Sequence, residues 1–221
     1  MKYVSADEAM ALVKSGDWVF FQGSTSVPVI LQEALERRHE ELRDVKIVSG
    51  FNVTKGPAPF CKPEYRDAFE VESLFLCADQ REYVAQGYGS LIPGFLSDLP
   101  KLIRRGEIPI DVACINCSLP DEDGYCSYNI SADLAQPAVD VARVIIAQIN
   151  KSVPYLYGTA MIHESKITAA VAEACTCGYL QRTRLAENRY RIMPIVAAML
   201  TLERAQQLIA QLQDTLAAEE D

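Results

Sequence analysis

The chain has 221 residues, 49% hydrophobic and 23% charged, the balance of a globular protein with enough apolar content for a real core in one large domain or two small ones. Its formal charge of −9 excludes a general affinity for nucleic acid or for anionic membrane surfaces.

In chain order, helical and extended patterns alternate. Residues 1–8 hold one lysine and no apolar segment of the signal-peptide kind, so a cytoplasmic location is expected. Apolar spacing predicts a helix over residues 6–13, broken at Lys14-Ser15-Gly16-Asp17. Trp18-Val19-Phe20-Phe21 reads as a strand ending at Gln22-Gly23, and Ser24-Thr25-Ser26 as the cap of a helix carrying Val29, Ile30, Ala34 and Leu35. Further strands are predicted at 45–48 and 71–77, with short helices at 79–86 and 101–105, the latter closed by Gly106. A fourth strand covers 112–117, and a helix interrupted by Pro137 covers 131–142. A fifth strand, 144–149, is far too short to span a bilayer, and no membrane association is expected. Buried runs alternating with helices predict an α/β fold, an open, mostly parallel sheet flanked by helices. At the end of the chain, Leu202, Ala205, Ile209, Leu212 and Leu216 follow a three-four spacing, which predicts a helix packed on its own domain.

Open α/β sheets bind ligands beyond the carboxyl ends of their strands, and three loops there are candidate sites. In the first, Gly23 lets the backbone approach a ligand, and Ser24, Thr25 and Ser26 lead into a helix N-terminus suited to a phosphate or carboxylate. It has neither dinucleotide nor Walker spacing. The second is Gly56-Pro57-Ala58-Pro59, directly after a strand. Its prolines exclude helix and central strand and leave a rigid loop. The third runs over residues 118–127. Its Asp121, Glu122 and Asp123 lack calcium-loop spacing and read as a solvated turn closed by Gly124.

Other chemistry is weakly signalled. Seven cysteines are an odd count, and free thiols are expected. Cys114 and Cys117 stand three apart on a predicted strand, so their side chains face opposite ways and share no metal; no metal site is expected. His39 lies in a charged stretch and His163 beside an apolar pair, and no Gly-x-Ser-x-Gly elbow accompanies either. Isolated residues identify no reaction.

Taken in order, several stretches resemble the N-terminal half of the acetyl-CoA hydrolase/transferase family. They begin with Ser5-Ala6-Asp7-Glu8-Ala9, Val13-Lys14-Ser15-Gly16-Asp17, Gly56-Pro57-Ala58-Pro59 and Pro63-Glu64-Tyr65. They continue through Phe95-Leu96-Ser97-Asp98-Leu99-Pro100 and Ile108-Pro109-Ile110-Asp111-Val112-Ala113. The most specific is Leu119-Pro120-Asp121-Glu122-Asp123-Gly124-Tyr125-Cys126-Ser127, followed by Ala147-Gln148-Ile149-Asn150 and by His163, Ser165 and Ile167.

The resemblance implies the NagB/RpiA/CoA-transferase type of α/β fold over residues 1–174, with 175–221 a divergent helical tail, a remnant of the start of a second domain. It implies a transferase moving CoA between a short-chain acyl-CoA and a carboxylic acid. The coenzyme A thioester is then a substrate, with no separate cofactor. Gly56 to Pro59 would border the meeting place of acyl-CoA and acid, and Gly124, Tyr125 and Ser127 would shape a neighbouring loop. The family's nucleophile is a glutamate in the second half, which also carries a glycine-rich CoA loop. Arg204-Ala205-Gln206-Gln207-Leu208 stands where that loop is expected, no glycine follows Gly178, and no catalytic residue is assigned. A second CoA-transferase domain or subunit is therefore an expected partner, as is a homo-oligomer. The alternatives are a truncated, non-catalytic product and a small-ligand or partner-binding α/β module using Gly23 to Ser26.

Overall fold

Seven parallel strands form the central sheet of the computed structural model, which describes residues 1–54 and 56–173. The expected division near residue 174, the tail helix, and Cys175 and Cys177 lie outside the described residues. The strands are β1 (Trp18–Phe21), β2 (Val45–Ser49), β3 (Phe69–Ser73), β4 (Gly89–Leu91), β5 (Val112–Cys117), β7 (Val144–Asn150) and β9 (Ala169–Glu173), in the order β4-β3-β2-β1-β5-β7-β9. β6 (Tyr125–Ser127) and β8 (Met161–His163) pair antiparallel in a separate ribbon. Before β1, Val4 N–H donates to the Ala170 carbonyl at 2.9 Å and Ala170 N–H to that of Lys2 at 2.8 Å. The N-terminal residues thus extend the sheet beside β9.

Helices cover both faces. α1 (Ala6–Met10), α2 (Val29–Glu36) and α3 (Arg81–Ala85) place Met10, Leu31, Leu35 and Tyr83 in one core with Phe21, Ile47 and Ile146. α4 (Leu99–Arg104) and α5 (Ala135–Val141) place Ile103 and Ala138 in a second core with Phe20, Val48 and Ile115. Phe20 and Phe21 thus enter opposite cores, as strand alternation requires. Because both faces are covered, all six residues of β5 and all seven of β7 are buried, and these strands read as mostly apolar runs, broken only by Asn116, Gln148 and Asn150. β3, next to the edge strand, alternates instead: Glu70 and Glu72 are half-buried, and Lys46 on β2 pairs with Glu70. Ser5 opens α1 with a reciprocal capping box to Glu8.

The structure corrects several sequence expectations. Ser24, Thr25 and Ser26 do not cap α2, which begins at Val29 behind an N-cap Pro28 with no side-chain cap. Ser24 instead bridges to Asn52 and takes a left-handed φ of 58°. The third strand is Phe69–Ser73 rather than 71–77, because its register closes at Ser49 opposite Ser73. Leu74 N–H then caps the Ser49 carbonyl at 2.8 Å as the chain leaves the sheet. Pro137 lies in the first turn of α5 and interrupts nothing, since N–H groups there have no intrahelical acceptor. β4, β6, β8 and β9 were absent from the sequence reading: three have only three residues, and β9 is alanine-rich, so neither length nor β-branching marks them.

Candidate functional site

The chain builds the sheet outward from β1 in two directions, β2-β3-β4 on one side and β5-β7-β9 on the other. The order therefore reverses between β1 and β5, and a crevice is expected beyond their carboxyl ends. Gln22, directly after β1 and buried, spans that point. Its Nε2 donates to the carbonyls of Tyr128 at 2.7 Å and Ser131 at 2.8 Å, and its Oε1 accepts from Asn116 N–H at 2.6 Å. One side chain thereby locks the ends of β1 and β5 to the 128–131 loop.

Beside it, the loops after β1 and β2 are zipped together. Ser24 N–H donates to the Phe51 carbonyl, and Val53 N–H to the Ser24 carbonyl at 3.1 Å. A Cβ on Gly23 would lie 2.6 Å from the Phe51 carbonyl oxygen, so only glycine permits this approach. The second loop is held from behind: Asn52 Nδ2 donates to Asp79 Oδ2 at 2.8 Å, and Gln80 Nε2 to Ser49 Oγ. Burial pushes the Asp79 carboxyl above its ordinary range, against the opposing bond from Asn52.

Between these loops, the β4–α4 connection and the segment before α5 lies a cavity of about 590 Å³. Backbone at Gly23, Gly50 and Gly94 makes part of its wall, and Leu74, Leu99 and Leu134, all buried, make its floor. A Cβ on Gly50 would come 3.0 Å from Leu134 Cδ1, so that glycine keeps the space open. The mouth is apolar and uncovered: Phe75 is 56% exposed, Leu96 60% and Phe95 79%, with Phe51 set edge-on to Phe75 at 5.6 Å. Among the described residues, the polar ones that line it are Ser24, Ser131 and Asp133. Asp133 Oδ1 accepts from Leu134 N–H at 3.0 Å and from Ser131 Oγ at 3.3 Å. No glutamate and no cationic side chain lines the cavity among the described residues.

The predicted site residues divide into three places. Gly23 and Ser24 line the cavity. Thr25 and Ser26 follow in the same turn, with Ser26 N–H donating to the Gly23 carbonyl at 3.1 Å. Gly56 and Pro57 are exposed and Pro59 half-buried, while Ala58 is buried and donates its N–H to the Asp79 carbonyl at 3.1 Å. That loop touches the residue that holds Asn52 but does not line the cavity. Tyr125 and Ser127 lie on β6 of the ribbon, and Gly124 is the turn residue directly before it. Gly124 has a left-handed φ of 82°, Tyr125 lies edge-on to His163 at 5.0 Å, and Ser127 Oγ accepts from Leu156 N–H at 2.9 Å. In that loop Asp121 accepts from the Tyr155 hydroxyl and from the Tyr125 and Asp123 N–H groups, and these bonds hold its carboxyl below its ordinary range. No cluster of three or more metal-ligating side chains occurs among the described residues. Sequence reasoning missed Phe51, Phe75 and the Ile130–Leu134 side of the cavity. The available signal was large apolar residues standing immediately after strand-ending positions, as at Gly50-Phe51 and Leu74-Phe75.

The family model for the acetyl-CoA hydrolase/transferase N-terminal domain matches residues 1–180. A succinyl-CoA:acetate/propanoyl-CoA:succinate CoA transferase of Fasciola hepatica is 32% identical over 204 residues, 91% of this chain and 42% of that protein. The 4-hydroxybutyrate coenzyme A transferase of Clostridium kluyveri is 31% identical over 186 residues, 84% of this chain and 43% of that protein. Among solved structures, a 4-hydroxybutyrate CoA-transferase from Porphyromonas gingivalis superposes with a TM-score of 0.62 at 29% identity, covering 78% of this chain and 39% of that one. The chain thus spans about two-fifths of the length of the relatives it matches.

Proposed function

Given that the chain belongs to the acetyl-CoA hydrolase/transferase family, which it matches over that family's N-terminal domain, we propose that it supplies one wall of a CoA-transferase active site. In this reading it acts with a second CoA-transferase domain or subunit, on a short-chain acyl-CoA and a carboxylic acid. The observation that carries the reading is the cavity beyond the carboxyl ends of β1, β2 and β3, walled in part by the interlocked loops after β1 and β2. Its apolar lining suits an acyl group, and its open, apolar mouth suits a covering surface.

In this reading the nucleophile belongs to the second half. A glutamate on the second half attacks the acyl-CoA carbonyl and expels the CoA thiolate, forming an acyl-glutamyl anhydride. The thiolate then attacks the glutamyl carbonyl and releases the first acid. The second acid's carboxylate attacks the resulting glutamyl-CoA thioester and expels the thiolate, forming a second anhydride; the thiolate then attacks its acyl carbonyl, releasing the new acyl-CoA and the free glutamate. The present chain's part is to hold the acyl group still and dry; Gln22 and Asn52 fix the two loops that do so. A cytoplasmic location and a homo-oligomer belong to the same proposal. In the described residues no helix is long and apolar enough to cross a membrane.

The test is turnover of acetyl-CoA with a short acid, by this chain alone and with a polypeptide carrying the second half. Alone, no transfer is expected, and borohydride after acetyl-CoA should leave every glutamate of this chain unreduced. Losing one oxyanion donor alone costs ~100-fold or more, and nucleophile and donors would be missing together. Turnover by the isolated chain, with one of its own glutamates reduced, would refute the division of labour.

A further inference from the structure

We infer that the cavity selects bulky apolar acyl groups, branched, cyclic or aryl, over acetyl and over acyl groups ending in a second carboxylate; the inference rests on the transferase reading and widens its acyl group beyond the short linear chains. Size comes first. With its mouth uncovered the space is about 590 Å³, within the ~300–1,000 Å³ of ligand pockets. An acetyl group leaves most of it unfilled and forgoes contact with the leucine floor. Three glycines in the wall keep that volume available where side chains would consume it.

Polarity decides the second discrimination. Leu74, Leu99 and Leu134 below and Phe51, Phe75 and Phe95 above offer an apolar group contact on both sides. A carboxylate carried into the same space meets no lysine or arginine among the lining residues, and the one charged residue there, the exposed Asp133, carries the same sign. A desolvated charge without a partner is strongly disfavoured, and a like charge nearby disfavours it further.

The test uses thioesters of N-acetylcysteamine, which carry the acyl group without the CoA nucleotide, titrated calorimetrically into the full chain. Isovaleryl and benzoyl thioesters should bind at least about tenfold more tightly than acetyl, the scale on which apolar pockets discriminate added carbons. Succinyl thioester should bind most weakly, and Asp133→Asn should strengthen it several-fold relative to isovaleryl. Ala132→Phe, which places a ring at a lining position, should erase the isovaleryl preference; circular dichroism of both variants verifies the fold. Equal or tighter acetyl binding, binding of none of the thioesters, or succinyl binding unmoved by Asp133→Asn would each overturn the inference. Turnover in the presence of the second half, with no acyl preference, would leave the transferase reading standing and sink this one. A clear preference in binding with no turnover would do the reverse.

Discussion

At Asp79 a single buried carboxyl does structural work at a cost to stability. It holds Asn52, which pins the loop that forms the cavity wall, yet its Oδ1 has no partner among the described residues. Burial raises its pKa above the ordinary 3.8, so the folded state binds a proton more readily than the unfolded state. The stability this group contributes is then fully present below about 3.8 and lost as pH rises through the raised folded value. Asp79→Asn keeps an oxygen for Asn52 and removes the titration. The variant should be more stable than the parent near neutral pH, with the gain shrinking as pH falls toward 3.8. Denaturant melts across that range check it; a gain independent of pH would show that ionisation is not the cause.

Strand β5 shows how alternation isolates chemically suggestive residues. Cys114 faces the core with Phe21 and Ile146, whereas Cys117 faces the core with Phe20 and Ile115. Both thiols are fully buried, and burial pushes both well above the ordinary thiol range. Buried, protonated thiols are inert, so alkylation of the native protein near pH 8 should leave Cys114 and Cys117 unmodified. Denaturation should release both, and mass mapping of the modified peptides reads the result. Rapid native labelling of either would contradict the sheet's coverage on that face.

Across the whole molecule, the two wings of the sheet meet at β1 and β5, and Gln22 is the side chain that joins them to the 128–131 loop. Gln22→Ala would strand one buried N–H and two carbonyls. At ~1–3 kcal/mol for each unsatisfied group, the expected loss is about 3 kcal/mol or more, a Tm drop on the order of 10 °C. Scanning calorimetry checks it. A change of a degree or less would mean that the strand ends hold without this link. Any acyl binding should weaken with it, because Ser131, which Gln22 holds, lines the cavity.

The sequence by itself determined the layered α/β class, the parallel core strands and the family. Nearly continuous apolar runs such as Val112–Ile115 arise where both faces of a strand are covered, and ordered motifs such as Leu119-Pro120-Asp121 survive without any knowledge of contacts. It also separated Cys114 from Cys117, since strand alternation is a local property. Tertiary structure alone decided strand order, and with it the cavity beyond the ends of β1, β2 and β3. It decided that Ser24 bridges to Asn52 instead of capping α2, because that choice depends on a loop 28 residues downstream. It divided the predicted site residues too, placing Gly23 and Ser24 at the cavity and Gly124 to Ser127 at a separate ribbon. Phe51, Phe75 and Phe95 could not be distinguished from core by composition, because hydrophobicity states what a side chain prefers to meet and not whether the fold provides it. Their exposure around one cavity is a long-range outcome of how the loops beyond the strand ends are tied together.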